Sequence, residues 1–271
     1  MHVLDCFCGS GSLSLGLGSV LYAFDYSPIA IHTYNSNLNN QAELRNPYTI
    51  SKRDIENDLG AELPRIDVLA GQPKCTRFSA FDKLIVEYMR LVKEIKPCVF
   101  VLTNVRGLMT QFGLFHYRIM KGIMKELGYN LSTKHAIPSF YGIPQNRPVT
   151  FIIGQRHDVN ATISFVPTSQ NITVRDAIYD LMNRDDLPNH NYSYHFTGDR
   201  LKWDEPAKEL DEQFYKTVGH PELDRAITVR EAARLYNYPD SFVFDENVKE
   251  AAKIITASVP VFPLSLHQSV L

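Results

Sequence analysis

The chain is predicted to be an α/β protein on a doubly wound, mainly parallel sheet, and three observations carry that expectation. Short apolar runs punctuate the first half, helical periodicity fills the gaps between them, and a glycine turn follows the first run. Val3-Leu4 opens the series. Val20-Leu21-Tyr22-Ala23-Phe24, Asp67-Val68-Leu69-Ala70 and Val99-Phe100-Val101-Leu102 continue it as buried parallel strands. After the third run, Phe81, Leu84, Ile85, Tyr88, Met89 and Val92 recur at helical spacing, and Tyr117, Met120, Ile123, Met124 and Leu127 do so after the fourth. Thr150-Phe151-Ile152-Ile153-Gly154 adds a late strand, and no internal repeat is visible.

From 158 to 224 the character changes to polar loops, isolated prolines and acidic residues. With Arg156, this stretch carries 13 Asp and Glu against 7 Lys and Arg, an unfavourable balance for tracking phosphates. Regular pattern returns at Thr228, where Thr228 and Glu231 have the spacing of a capping box at a helix start. The expected organisation is a cofactor-binding domain of 1–157 plus 225–271, with 158–224 as a small inserted lobe.

At 271 residues, 44% hydrophobic and 21% charged, the chain can bury a sizeable core without disulfides or metal. Its formal charge of -2 gives no global basic field for nucleic acid, so any basic binding face has to be local. Cysteines at 6, 8, 75 and 98 form no C-x-x-C pair and have no histidines at ligand spacing, so reduced thiols and no metal are expected. No apolar run reaches the ~18 residues of a membrane helix, and no signal segment is read before the first strand. These features point to a cytoplasmic enzyme.

Gly9 and Gly11, directly after the first strand, let backbone approach a ligand closely. Asp25, after the second strand, is placed to accept both ribose hydroxyls of a nucleoside. Asp54-Ile55, before the next strand, is suited to an adenine amino group. Together these three features in order point to a nucleoside cofactor.

The motifs then become specific. Asp5-Cys6-Phe7-Cys8-Gly9-Ser10-Gly11, Asp25 with Ala30, Thr33, Tyr34 and Asn37, Asp54-Ile55, and Gly71-Gln72-Pro73-Lys74-Cys75 occur in one order. Tyr141-Gly142-Ile143-Pro144-Gln145-Asn146-Arg147 follows. Last come Arg225-Ala226-Ile227-Thr228-Val229-Arg230-Glu231-Ala232-Ala233-Arg234-Leu235 and Tyr238-Pro239-Asp240-Ser241-Phe242. Over nearly its whole length the chain resembles the DNA cytosine-5 methyltransferase family.

That resemblance implies S-adenosylmethionine as cofactor, or S-adenosylhomocysteine as product, bound by Phe7, Cys8, Gly9, Ser10, Gly11, Asp25, Tyr26, Asp54, Ile55 and Gly71. It also implies DNA as substrate and Cys75 as the thiolate that adds to C6 of a flipped pyrimidine. Arg147 is expected at the base pocket. Departures from the family pattern gather there: Thr103 replaces a glutamate, Lys74 a proline, Val149 an arginine, and Thr256-Ala257 a Gly-Asn pair. Two accounts stay open. One is a decayed enzyme that binds the cofactor and acts with a partner chain. The other is a pocket re-purposed for another pyrimidine, with Lys74 lowering the Cys75 thiol or donating to a ring oxygen. His190 is expected to pack the lobe, and Trp203 to lie in its core.

Overall fold

The computed structural model describes residues 1–39, 41–73, 83–103, 113–165, 167–168, 171–184, 186–190 and 194–268. The first half runs β1 (Val3–Cys6), α1 (Ser12–Leu17), β2 (Tyr22–Asp25), α2 (Pro28–Asn35), β3 (Ala42–Leu44), α3 (Lys52–Leu59), β4 (Val68–Gly71), α4 (Lys83–Ile95), β5 (Val99–Thr103) and α5 (Gly113–Glu126). The second half adds β6 (Tyr129–Ala136), β7 (Val149–Arg156), β8 (Ala161–Phe165), α6 (Val174–Ile178), α7 (Phe214–Thr217), α8 (Val229–Leu235), α9 (Val248–Ala257) and β9 (Leu264–Gln268).

Seven strands form one sheet in the order β3-β2-β1-β4-β5-β7-β6. It is parallel from β3 to β5, and β7 runs antiparallel to both its neighbours. Strands β1, β2, β4 and β5 are buried along their whole length, which is why they read as unbroken apolar runs. Their alternate side chains feed two cores, one on each face of the sheet. On one face α4 buries Leu84, Ile85, Tyr88, Met89, Leu91, Val92 and Ile95, the expected stripe. Gly71 at the end of β4 makes room for that helix: a Cβ there would lie 2.3 Å from the Tyr88 ring.

Two strands escape the sequence reading for a shared reason. β3 and β6 are the edges of the sheet. β6 alternates buried and solvated residues, and its Ser132, Thr133, Lys134 and His135 look like loop until a partner strand is in place. β8 and β9 pair antiparallel with each other, and Ala161, Ile163 and Leu264 pack into the first sheet core. The chain therefore stays with the large domain past 157, because these side chains complete a core that β1, β5 and β7 leave open.

The expected boundary at 224/225 also falls inside a core. One hydrophobic cluster joins Val174, Ile178, Leu210 and Phe214 to Ile227, Leu235, Tyr236, Phe242 and Ile255. Thr228 and Glu231 make the predicted capping box at α8, with Glu231 N donating to Thr228 Oγ1 at 3.1 Å and Thr228 N to Glu231 Oε2 at 2.8 Å. His190 is a packing residue, its ring nitrogens 2.9 Å from Thr228 Oγ1 and 3.0 Å from Leu181 O. Trp203 is half-buried, edge-on to His220 and under the Arg175 guanidinium. Among the described residues no helix is long and apolar enough to cross a membrane, and no cluster of ligating side chains fits a metal.

Candidate cofactor and active site

The turn after β1 is built from backbone that side chains resist. Phe7, Gly9 and Gly11 have φ of 57°, 57° and 88°. Phe7 tolerates this region because its ring is fully packed, 5.5 Å from Phe24. Cys8 N donates to Phe24 O at 3.0 Å and Gly11 N to Cys8 O at 2.8 Å, which folds the turn back onto β2. At Gly9 a Cβ would meet only Ser258 Oγ, at 4.0 Å, so this is the open floor of the turn.

Asp25 ends β2 beside that floor. Its Oδ2 accepts Gly9 N at 3.0 Å and its Oδ1 accepts Ser27 N at 2.8 Å. Burial raises its pKa above the usual carboxylate range, and these amides partly offset the rise. A carboxylate offers about four lone-pair directions, more than its backbone donors occupy, so capacity remains for a further donor. Phe7, Gly9, Ser10, Asp25, Tyr26 and Ala257 line a cavity of about 240 Å³ at this point. A glycine floor, a buried carboxylate and an aromatic rim fit the ribose and base of a nucleoside.

A buried hydroxyl chain forms the back wall. Ser258 Oγ donates to Ile254 O at 2.9 Å, so its single proton is committed. The 2.9 Å contact with Ser10 Oγ must then be donated by Ser10, and the 2.6 Å contact between Tyr238 and Ser10 by Tyr238. Gln72, just beyond β4, donates to Ala257 O at 2.7 Å and lies 3.3 Å from Val259 N, whose proton it accepts. These bonds tie the glycine turn, the exit of β4 and the end of α9 into one wall. Gln72, Ala257 and Ser258 line the cavity. Sequence reasoning passed over them as cofactor residues because nothing local marks Gln72, 60 residues from Ser12, or Ser258, 248 residues from Ser10, as facing the first turn.

Several expected residues stand elsewhere. Asp54 is the third residue of α3, where its carboxylate accepts Ser51 N at 2.8 Å and Ser51 Oγ at 2.6 Å as a capping box. It lines a separate cavity with Arg45, Asn46 and Asp58, and Ile55 is sealed in the sheet core. Neither reaches the Asp25 cavity. Cys8 and Gly11 shape the turn from behind, as Gly71 supports it from β4. Asp5, beneath the turn, accepts Ser14 Oγ at 2.6 Å through Oδ2 while Oδ1 is buried without a partner. Burial pushes its pKa up to about 7.

Around the expected base pocket, Cys75 and Lys74 lie outside the described residues. Thr103 is fully buried and its hydroxyl donates to Thr150 O at 3.2 Å. Val149 is buried in the sheet core. Arg147, only 8% exposed, donates from Nη1 to the carbonyls of Thr256 at 3.2 Å and Ser258 at 3.3 Å, and its Nε lies 3.2 Å from Glu209 Oε1. Glu209 is also on the wall of a larger cavity, about 580 Å³, where Arg200, Lys202 and Lys208 alternate with Asp199, Glu205 and Asp211.

The family model described as C-5 cytosine-specific DNA methylase matches residues 1–215 and 197–265. The chain belongs to that family. A type II methyltransferase of Fusobacterium nucleatum, M.FnuDI, is 28% identical to it over 96% of this chain and 91% of that protein. M.MthTI, a type II methyltransferase of Methanothermobacter thermautotrophicus, is 27% identical over 96% of this chain and 94% of that protein. In fold it resembles an Escherichia coli prophage protein described as a DNA modification methyltransferase, with TM-score 0.77, 23% identity and 96% and 95% of the two chains covered. The chain is thus an S-adenosylmethionine-dependent methyltransferase of the DNA cytosine-5 type, and S-adenosylmethionine is its cofactor.

Proposed function

We propose that this methyltransferase binds the nucleoside of its cofactor on Asp25 and the Gly9 floor and uses Cys75 as nucleophile toward a pyrimidine in DNA. The supporting observation is Gln72. It lines the Asp25 cavity, and Cys75 follows three residues later, within roughly 10 Å of chain. In this reading the Cys75 thiolate adds to C6 of a flipped base, its electron pair forming the S–C6 bond while the C5–C6 π pair moves to C5. When bound, S-adenosylmethionine supplies the methyl group that C5 takes up. Loss of the C5 proton to a base then expels the cysteine and restores the ring. Lys74, beside Cys75 in sequence, favours the thiolate by its charge.

The altered pocket limits the rate. Thr103, at the position where a glutamate would protonate the base, is buried and its hydroxyl is committed to Thr150 O. A missing general acid costs about 10²- to 10⁴-fold. The same observation favours a second reading, in which the chain binds cofactor and acts with a partner chain, its acidic 158–224 stretch facing that partner. A pocket suited to another pyrimidine is the remaining alternative. Transfer of labelled methyl from S-adenosylmethionine to cytosine- and uracil-containing DNA and RNA, with Cys75→Ala as control, separates them. Cys75-dependent labelling of cytosine supports the first reading, labelling of uracil alone the third, and silence on every substrate the second.

A further inference from the structure

We propose that Glu209 is a positioning residue: through Arg147 it braces the end of α9 against the cofactor cavity and thereby sets affinity for the cofactor and its product. The inference rests on the cofactor assignment above.

Glu209 reaches Arg147 by a built connection rather than by the swing of a long side chain. Ala207 N donates to Pro144 O at 2.9 Å, and Asn146 N donates to Ala207 O at 2.8 Å. The segments 144–147 and 207–209 are thereby held side by side, and Leu210 is anchored in a core. The Nε of Arg147 has no hydrogen bond, so its 3.2 Å approach to Glu209 Oε1 is ionic. On its other side the guanidinium holds the carbonyls of Thr256 and Ser258, where the α9 dipole is negative. Those carbonyls bracket Ala257, which lines the cavity together with Ile254 and Ser258. Ser258 Oγ in turn receives Ser10 of the glycine turn. Glu209, Arg147, Ser258 and Ser10 are thus linked by direct contacts from one cavity to the other.

A second feature shows where Arg147 would go without Glu209. Gln145 and the hydroxyl of Tyr236 are buried beside Arg147, and both Arg147 and Gln145 bear on that hydroxyl. A buried hydroxyl and amide of this kind attract a charged donor that becomes available. With Glu209 neutralised, the guanidinium is drawn inward, its hold on Thr256 and Ser258 loosens, and the cavity wall at Ala257 shifts. Glu209 selects the outward arrangement.

The test is calorimetric titration of S-adenosylhomocysteine into the full chain and its Glu209→Gln, Glu209→Asp and Lys208→Gln variants. Glu209→Gln is expected to weaken binding about 5- to 20-fold, the lower part of the usual range of coupling between linked sites. Glu209→Asp recovers part of that loss, and Lys208→Gln binds as wild type. Raising salt from about 0.05 M to about 1 M screens the pair from its half-exposed Glu209 side, so wild-type affinity falls toward that of Glu209→Gln while the variant changes little. Unchanged binding by Glu209→Gln overturns the inference. So does a loss that follows unfolding by circular dichroism and keeps the wild-type salt dependence. Absence of wild-type binding overturns the cofactor assignment, and this inference with it.

Discussion

Asp5 and Asp25 are both carboxylates on the carboxyl side of the sheet, yet their surroundings assign them different work. Asp25 has amide donors on each oxygen and faces a cavity, whereas Asp5 is fully buried, accepts the Ser14 hydroxyl and feels the like charge of Asp25. Because the folded pKa of Asp5 is raised to about 7 from an ordinary 3.8, the folded state holds a proton that the unfolded chain releases earlier. Its contribution is complete below about pH 4 and is lost as pH rises toward 7. Asp5→Asn should therefore stabilise the protein by a few kcal/mol at pH 8 and by much less at pH 4, measured by urea unfolding at both. A pH-independent difference would remove burial of Asp5 as the cause. Asp25→Ala is expected to leave folding intact and weaken S-adenosylhomocysteine binding at least about tenfold, since charge-assisted hydrogen bonds are worth about 1.5–3 kcal/mol. Full affinity in that variant would deny Asp25 its ribose role.

Helix α8 shows how far an element can be read from its own residues. Thr228 and Glu231 identify its start, and the structure places the same Glu231 in a second role. Arg225 grips its carboxylate at 2.8 and 2.7 Å while it is fully buried, and the pair holds the pKa of Glu231 below the usual range despite desolvation. Glu231→Gln strands the Arg225 charge and weakens the cap together. Breaking a buried pair costs about 3–5 kcal/mol, so the midpoint of urea unfolding should fall markedly while Arg225→Lys loses less. An effect below about 1 kcal/mol would mean that the pair is dispensable. The strands β3 and β6 were missed for the opposite reason: one face or edge of each is solvated, and their residues carry no signal until β2 and β7 are paired with them.

In the assembled molecule, positions far apart in the chain meet on one face of the sheet. Thr103 pairs with Phe151 in the β5–β7 register, so Val149, two residues before Phe151, is a diagonal neighbour of Thr103 on the same face. Thr103→Glu or Val149→Arg alone buries an uncompensated charge and should destabilise by about 3–5 kcal/mol. Together the two charges compensate, so the double variant should be more stable than the sum of the singles predicts. If a missing acid limits the enzyme, only the double variant should raise methyl transfer to cytosine above wild type. Thermal unfolding and methyl transfer on the same four proteins check both statements. Equal additivity in stability would show that the side chains do not meet.

The order of apolar runs and the glycine turn were enough to read the parallel centre of the sheet and to put Asp25 after its second strand, because each is set by neighbours a few residues away, while the family resemblance rested on the motifs and their order. Asp54 shows the limit of such reading: its motif suggests an adenine contact, and only the fold shows that its carboxylate also caps α3 through Ser51 and lines a cavity apart from that of Asp25. The domain boundaries at 157 and 224 likewise followed composition, while the cores followed burial, joining β8 to β9 and α6 to α8 and α9. Gln72, Ser258 and Glu209 surfaced only in the folded chain. Their significance lies in contacts across 185, 248 and 62 residues of sequence, and no local pattern encodes a hydrogen bond or an ion pair closed at that range.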